Sequence, residues 1–146
     1  MMLKRFNIRV YGLLLHEGRV LVSDEIIRGQ RVTKFPGGGL ELGEGPMDCL
    51  VREVQEEMGV DARELRHFYT TDFFQQSSYD ESDQLISIYY LFSVNEVRAL
   101  PYGTSPFGDG GSSAEWFRWL DLSMADEGTM SLPIDRLVLA MLTSGC

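Results

Sequence analysis

A chain of 146 residues with 22 acidic and 13 basic side chains, a formal net charge of −9, fits one domain with a real core. That charge argues against non-specific nucleic-acid binding, which depends on neutralisation of phosphate by Lys and Arg. Hydrophobic content of 44% and charged content of 24% are ordinary for a soluble globular protein, and no stretch approaches the length of a membrane span. Arg9 interrupts the apolar run soon after Lys4 and Arg5, so the N-terminus does not read as a signal peptide. Cys49 falls inside an expected helix and Cys146 at the end of the chain, which predicts free thiols in a reducing compartment. The expectation is a single cytoplasmic domain over residues 1–146, with no membrane partner.

In chain order, Phe6 to Leu15 reads as a strand, His16-Glu17-Gly18 as a turn, and Arg19 to Ser23 as a second strand. Val32 to Phe35 predicts a short third strand, closed by Pro36-Gly37-Gly38-Gly39, where the backbone is expected to turn. The first clear helix follows, with Gly45-Pro46 at its start and Gly59 as a left-handed cap at its end. Arg66 to Phe74 and Gln84 to Val94 predict two β segments joined by a polar loop from Ser77 to Asp83. Pro101 to Ser113 is rich in Gly, Ser and Pro and reads as a long loop. An alternating strand pattern returns from Glu115 to Leu120, and a second helix is expected from Leu132 to Leu142 with Leu137, Val138 and Met141 on its apolar face. Strands interspersed with helices predict a mixed sheet with helices packed against it.

On the first helix, Met47, Leu50, Val51, Val54 and Met58 share a stripe of about 100°, and Glu53, Glu56 and Glu57 share another, with Arg52 at its edge. The apolar stripe is expected to pack inward and the carboxylates to face outward. Like charges at such spacing repel by a few tenths of a kcal/mol per pair. That cost is readily carried if the cluster binds a hard divalent cation, since Mg²⁺ takes oxygen ligands and bridges to phosphate. A Glu-rich helix face is more often simply solvated, but here a glycine-rich turn stands directly before it.

Gly38, Glu44, Arg52, Glu53, Val54, Glu56, Glu57, Gly59 and Val60 match every fixed position of the Nudix box, Gly-x5-Glu-x7-Arg-Glu-U-x-Glu-Glu-x-Gly-U with U a bulky aliphatic residue. A chance match by composition is on the order of one in ten million, so the chain resembles the Nudix hydrolase family. The resemblance implies an α+β fold, a Nudix-like α/β/α sandwich with a mixed central sheet. It implies Mg²⁺, or Mn²⁺, bound by Glu53, Glu56 and Glu57, and an orienting role for Arg52. Glu44 is expected to complete the metal shell or to favour the helix dipole. Gly37, Gly38 and Gly39 leave the substrate side of the loop unobstructed.

Outside the box, Glu115 is the best additional carboxylate, and Glu53 and Glu115 stand as rival general bases. Arg31 and Lys34, with Arg28, are expected to pair with substrate phosphate or else to be solvated. Phe73, Phe74, Tyr79 and Tyr102 are possible stacking partners for a nucleobase. Cys49 is expected to be a packed, inert thiol rather than a nucleophile. The implied reaction is attack of water on a phosphorus of a nucleoside diphosphate linked to a further group, a small-molecule nucleotide substrate. ADP-ribose, nucleotide sugars and (deoxy)nucleoside triphosphates stay open: Gln75 replaces the Pro that many ADP-ribose hydrolases carry about fifteen residues past the box. The alternative is a non-catalytic module that senses a nucleotide metabolite. The oligomeric state is open, a homodimer included. The Pro101–Ser113 loop is expected to order over bound substrate.

Overall fold

The computed structural model describes residues 2–108, 115–126 and 128–144, so Cys146 and residues 109–113 of the expected loop lie outside the described residues. Among the described residues, seven strands and two α-helices run in the order β1 (Arg5–His16), β2 (Arg19–Ile27), β3 (Gln30–Lys34), β4 (Gly37–Gly39), α1 (Pro46–Met58), β5 (Arg63–Thr70), β6 (Asp83–Ser93), β7 (Glu115–Asp121) and α2 (Pro133–Thr143). They form two compact units, Met1–Leu13 with Gly37–Asn95, and Leu14–Pro36 with Glu96–Cys146. β1 gives residues 5–13 to the first and 14–16 to the second.

In the first unit β4 runs antiparallel to β1, with Arg9 opposite Gly39, Val10 opposite Gly38 and Tyr11 opposite Gly37. The three glycines therefore form a strand and not the turn expected from their composition. Gly37 has φ +146°, a conformation open to glycine, and a Cβ there would run into the Val10 carbonyl. Glycine lets two backbones approach where a side chain would hold them apart.

Helix α1 starts and stops where the sequence predicts. Pro46 fills the first turn, the Asp48 carboxylate accepts the Gly45 N–H at 2.9 Å, and Gly59 closes the helix at φ 69° with its N–H bonded to the Gln55 carbonyl. The buried face is rotated from the expected one. Cys49, Leu50 and Val54 are buried, whereas Met47 and Val51 are exposed. The buried side thus follows Cys49, Leu50, Glu53, Val54 and Glu57, which draws two of the carboxylates inward instead of leaving the whole acidic face to solvent. Val10, Leu13 and Tyr89 complete this unit's core.

β5 and β6 pair antiparallel with irregularities between Arg63 and Arg66 and between His67 and Tyr69. β5 ends at Thr70 instead of reaching Phe74. The Thr71 hydroxyl takes over the ladder there, accepting the Ser87 N–H at 2.9 Å and donating to the Ser87 carbonyl at 3.1 Å. Phe73 and Phe74 follow as exposed residues.

In the second unit β2 is flanked by β3 on one side and β7 on the other, both antiparallel. Pairing with β7 as far as Glu25 and with β3 as far as Ile27 carries β2 beyond the expected end at Ser23. Glu17-Gly18 and Arg28-Gly29, all at positive φ, make the turns on either side of it. Residues 101–108 are fastened to this sheet by a parallel bridge between Gly103 and Arg118 and by the Trp119 N–H, which donates to the Gly103 carbonyl at 2.8 Å. Helix α2 buries Ile134, Asp135, Val138 and Leu139; Leu137, expected inside, is exposed.

Candidate active site

Arg52 is the hub of the first unit's polar face. Its Nε and Nη2 form a two-pronged pair with Glu44, at 3.0 and 2.7 Å. Its Nη1 donates to Glu53 Oε1 at 2.9 Å and to Glu56 Oε2 at 3.3 Å, with Glu41 at 3.8 Å. Nη2 also donates to the Gly39 carbonyl at 3.2 Å, tying the helix to β4. A planar guanidinium with five donors suits this arrangement, where a lysine would supply only a point charge. Among the residues expected at the site, the structure gathers Glu44, Arg52, Glu53 and Glu56 around one cation.

The electrostatics follow from those bonds. The hydrogen bond from Arg52, helped by the Glu41 N–H, holds the Glu44 carboxyl at about 2, well below its ordinary 4.5. Arg52, bonded to Glu44 and Glu53, holds its proton more firmly than a free arginine. Burial first, and then Glu44, push the Cys49 thiol up to about 12. Its Sγ lies 3.5 Å from the Gly39 carbonyl, and the residue is fully buried. A sealed, protonated thiol is a packing group.

Glu53 and Glu56 differ in exposure, at 15% and 58% of the side chain. The reason lies in β4: a Cβ on Gly38 would come within 2.5 Å of the Glu53 carboxylate, so the absent side chain is the space that Glu53 fills. One Glu57 oxygen, Oε2, is likewise shielded from solvent. Among the described residues no three His, Cys, Asp or Glu side chains are gathered as a finished ligand set, and Arg52 engages Glu53 and Glu56. The donors nevertheless fit a hard cation. They are all carboxylate oxygens, two of them drawn toward the interior, and one guanidinium balances only part of their charge.

Arg9, which the sequence did not single out, lies beside this cluster. On β1 and opposite Gly39, its Nε donates to the Tyr11 hydroxyl at 3.1 Å. Burial is the largest influence on its charge and opposes it; Tyr11 and Glu53 outweigh that effect and keep the guanidinium protonated. The alternation of β1 offered a signal, since a lone Arg precedes Val10 in an otherwise apolar stretch.

Of the other expected residues, Phe73, Phe74 and Tyr79 belong to the first unit, and Lys34, Arg31, Glu115 and Tyr102 to the second. Lys34 is buried, its Nζ 2.9 Å from Glu25, a placement that favours internal neutralisation over contact with phosphate. Arg31 is exposed and lies over the Phe107 ring at 4.7 Å. Glu115 stands directly opposite Glu25 across β2 and β7, and its Oε2 accepts the Ser23 hydroxyl at 3.1 Å. Tyr102 packs against Phe117, with ring centroids 5.2 Å apart. Asp24, fully buried, accepts from the Arg118 Nε at 2.6 Å, the Thr33 hydroxyl at 2.7 Å and the Phe107 N–H at 2.8 Å.

Residues 4–139 match the family model for the NUDIX domain, and the chain belongs to that family. It is a Nudix-type pyrophosphohydrolase. Over 101 residues it is 29% identical to an 8-oxo-dGTP diphosphatase of Escherichia coli strain K12, a match that covers 69% of each chain. A shorter stretch of 49 residues is 41% identical to an RNA pyrophosphohydrolase of Psychrobacter cryohalolentis, covering 34% of this chain and 27% of that one. Among solved structures it resembles a MutT from a study of the Aliivibrio salmonicida and Vibrio cholerae proteins, with TM-score 0.68 and 20% identity over 98% of this chain and 100% of that one. A MutT NUDIX hydrolase from Burkholderia pseudomallei gives TM-score 0.71 and 15% identity, covering 96% and 100% of the two chains. The α+β fold is that of these neighbours. No helix among the described residues is long and apolar enough to cross a membrane.

Proposed function

We propose that the chain is a single-domain, Mg²⁺-dependent hydrolase of (deoxy)nucleoside triphosphates. Water attacks phosphorus, one P–O–P bond breaks, and a nucleoside monophosphate and pyrophosphate leave. The observation that carries this reading is the hub itself: one arginine bonded to Glu44, Glu53 and Glu56 on a face whose remaining negative charge calls for a cation. Glu53, Glu56 and Glu57 would hold the metal, with Mn²⁺ as the alternative ion. When bound, such an ion neutralises phosphate charge and lowers the pKa of water.

This chain's own residues then have distinct tasks. Arg52 fixes the orientation of Glu53 through Oε1, and Glu53, besides its place in the metal set, is one of two candidate bases that would take a proton from the attacking water. Glu44 anchors Arg52 and stays ionised down to low pH. Gly38 keeps room for the Glu53 carboxylate. Glu115 is retained as the rival base. The triphosphate class is favoured over ADP-ribose and nucleotide sugars because the relative matched over the longer stretch is named for a nucleoside triphosphate substrate, 8-oxo-dGTP.

Product analysis with Mg²⁺ across 8-oxo-dGTP, normal (deoxy)nucleoside triphosphates, ADP-ribose and nucleotide sugars tests the reading, with Glu57→Gln as control. Release of pyrophosphate from a triphosphate by wild type alone is the expected result. Cleavage confined to ADP-ribose or nucleotide sugars would move the substrate class. Nucleotide binding with no cleavage anywhere would favour a sensor module.

A further inference from the structure

Arg9 remains unaccounted for by the hub. It is half-buried on β1, and among the described residues its guanidinium makes one hydrogen bond, from Nε to the Tyr11 hydroxyl, and has no carboxylate at ion-pair distance. The two Nη groups carry four further donors. Donors left over on a half-buried guanidinium are available to an anion that reaches it. The space for such a group is set by the chain: position 39, directly across the ladder, is glycine, and a Cβ there would already touch Arg9 Nη1 at 3.5 Å. Arg9 Nη1 lies beside position 39, whose carbonyl accepts from Arg52 Nη2, so the guanidinium borders the carboxylate hub. Arg52, by contrast, spends its donors on Glu44, Glu53, Glu56 and the Gly39 carbonyl.

We infer that Arg9 is a substrate-binding residue whose Nη groups grip the diphosphate oxygens of the substrate, with Tyr11 fixing the guanidinium and Gly39 keeping its approach open. Guanidinium and phosphate match as a two-pronged pair, which a lysine cannot reproduce. This assignment rests on the proposed function, since it gives the cation for the same diphosphate.

The test measures binding of inorganic pyrophosphate by calorimetry in wild type, Arg9→Met and Arg9→Lys, together with kcat and KM on the substrate that wild type cleaves. The expected result is a rise of about 10- to 100-fold in both pyrophosphate Kd and KM for Arg9→Met, with kcat nearly unchanged and Arg9→Lys in between. Gly39→Val, which keeps Arg9 but covers Nη1, should weaken pyrophosphate in the same direction, and it carries the test if Arg9→Met does not fold. Unchanged pyrophosphate affinity with a lowered melting temperature would overturn the assignment and make Arg9 a packing residue. A fall in kcat with KM and Kd unchanged would also overturn it, pointing to action through Glu53. Wild-type protein that neither binds pyrophosphate nor cleaves any nucleotide would overturn the proposed function itself.

Discussion

Arg52 in the first unit and Arg118 in the second are both bonded to carboxylates, but the charge around them is balanced differently. Among the described residues Arg118 pairs with Asp24, both are buried, and Asp24 also accepts from the Thr33 hydroxyl and the Phe107 N–H. Every charge there has its counterpart. Arg52 is shared by four carboxylates, Glu41, Glu44, Glu53 and Glu56, on a face that stays partly open to solvent and that Arg9 borders. A sealed, balanced pair fixes a strand arrangement, while an open surplus of one sign is a demand for a ligand of the other. The contrast separates structure from chemistry better than the presence of an ion pair does, since buried pairs by themselves are weak evidence of stability or function.

Substitutions can break that comparison from either side. In the first unit, Glu53→Gln should lower kcat by about 10²–10⁴-fold with the melting temperature nearly unchanged, and Glu56→Gln and Glu57→Gln should cost at least as much. Steady-state kinetics beside thermal melts would show it; activity and stability falling together would make the acidic face structural. In the second unit, Asp24→Ala strands Arg118 and should cost about 3–5 kcal/mol of stability in urea unfolding. A stable Asp24→Ala protein with lost activity would invert the assignments. Between these lies Gly38→Ala, whose Cβ displaces the Glu53 carboxylate: about 1–3 kcal/mol of stability and a reduced kcat are expected together.

The smallest effect concerns acid. The Glu44 carboxyl is held at about 2 against an ordinary 4.5. A depressed folded-state pKa adds stability above the unfolded value, and that contribution fades as pH falls from about 4.5 toward 2. Melting temperatures measured down through this window should drop more steeply for wild type than for Glu44→Gln. Parallel curves would mean that Arg52 does not hold Glu44 in solution.

What the sequence showed and what it hid divide along local and non-local lines. The start and stop of α1 were legible because Pro46 and Gly59 act on their own backbone. The spacing of Glu53, Glu56 and Glu57 was legible because helical periodicity is local. Burial of Glu53 was not, since it depends on Gly38 arriving from another strand. Nor was the strand at Gly37–Gly39, because glycine composition signals a turn unless the partner backbone of β1 is known. The placements of Lys34 and Arg9 were hidden for the same reason. Lys34 sits against Glu25, whereas Arg9 owes its position to the register between β1 and β4.

Whether the acidic surplus of α1 holds a metal ion is read by Mn²⁺ titration followed by electron paramagnetic resonance. Wild type should take up Mn²⁺, Glu57→Gln should bind it far more weakly, and Glu115→Gln should locate any contribution from the rival carboxylate. Equal uptake by wild type and Glu57→Gln, with both proteins folded, would mean that the carboxylates of α1 do not form a metal site.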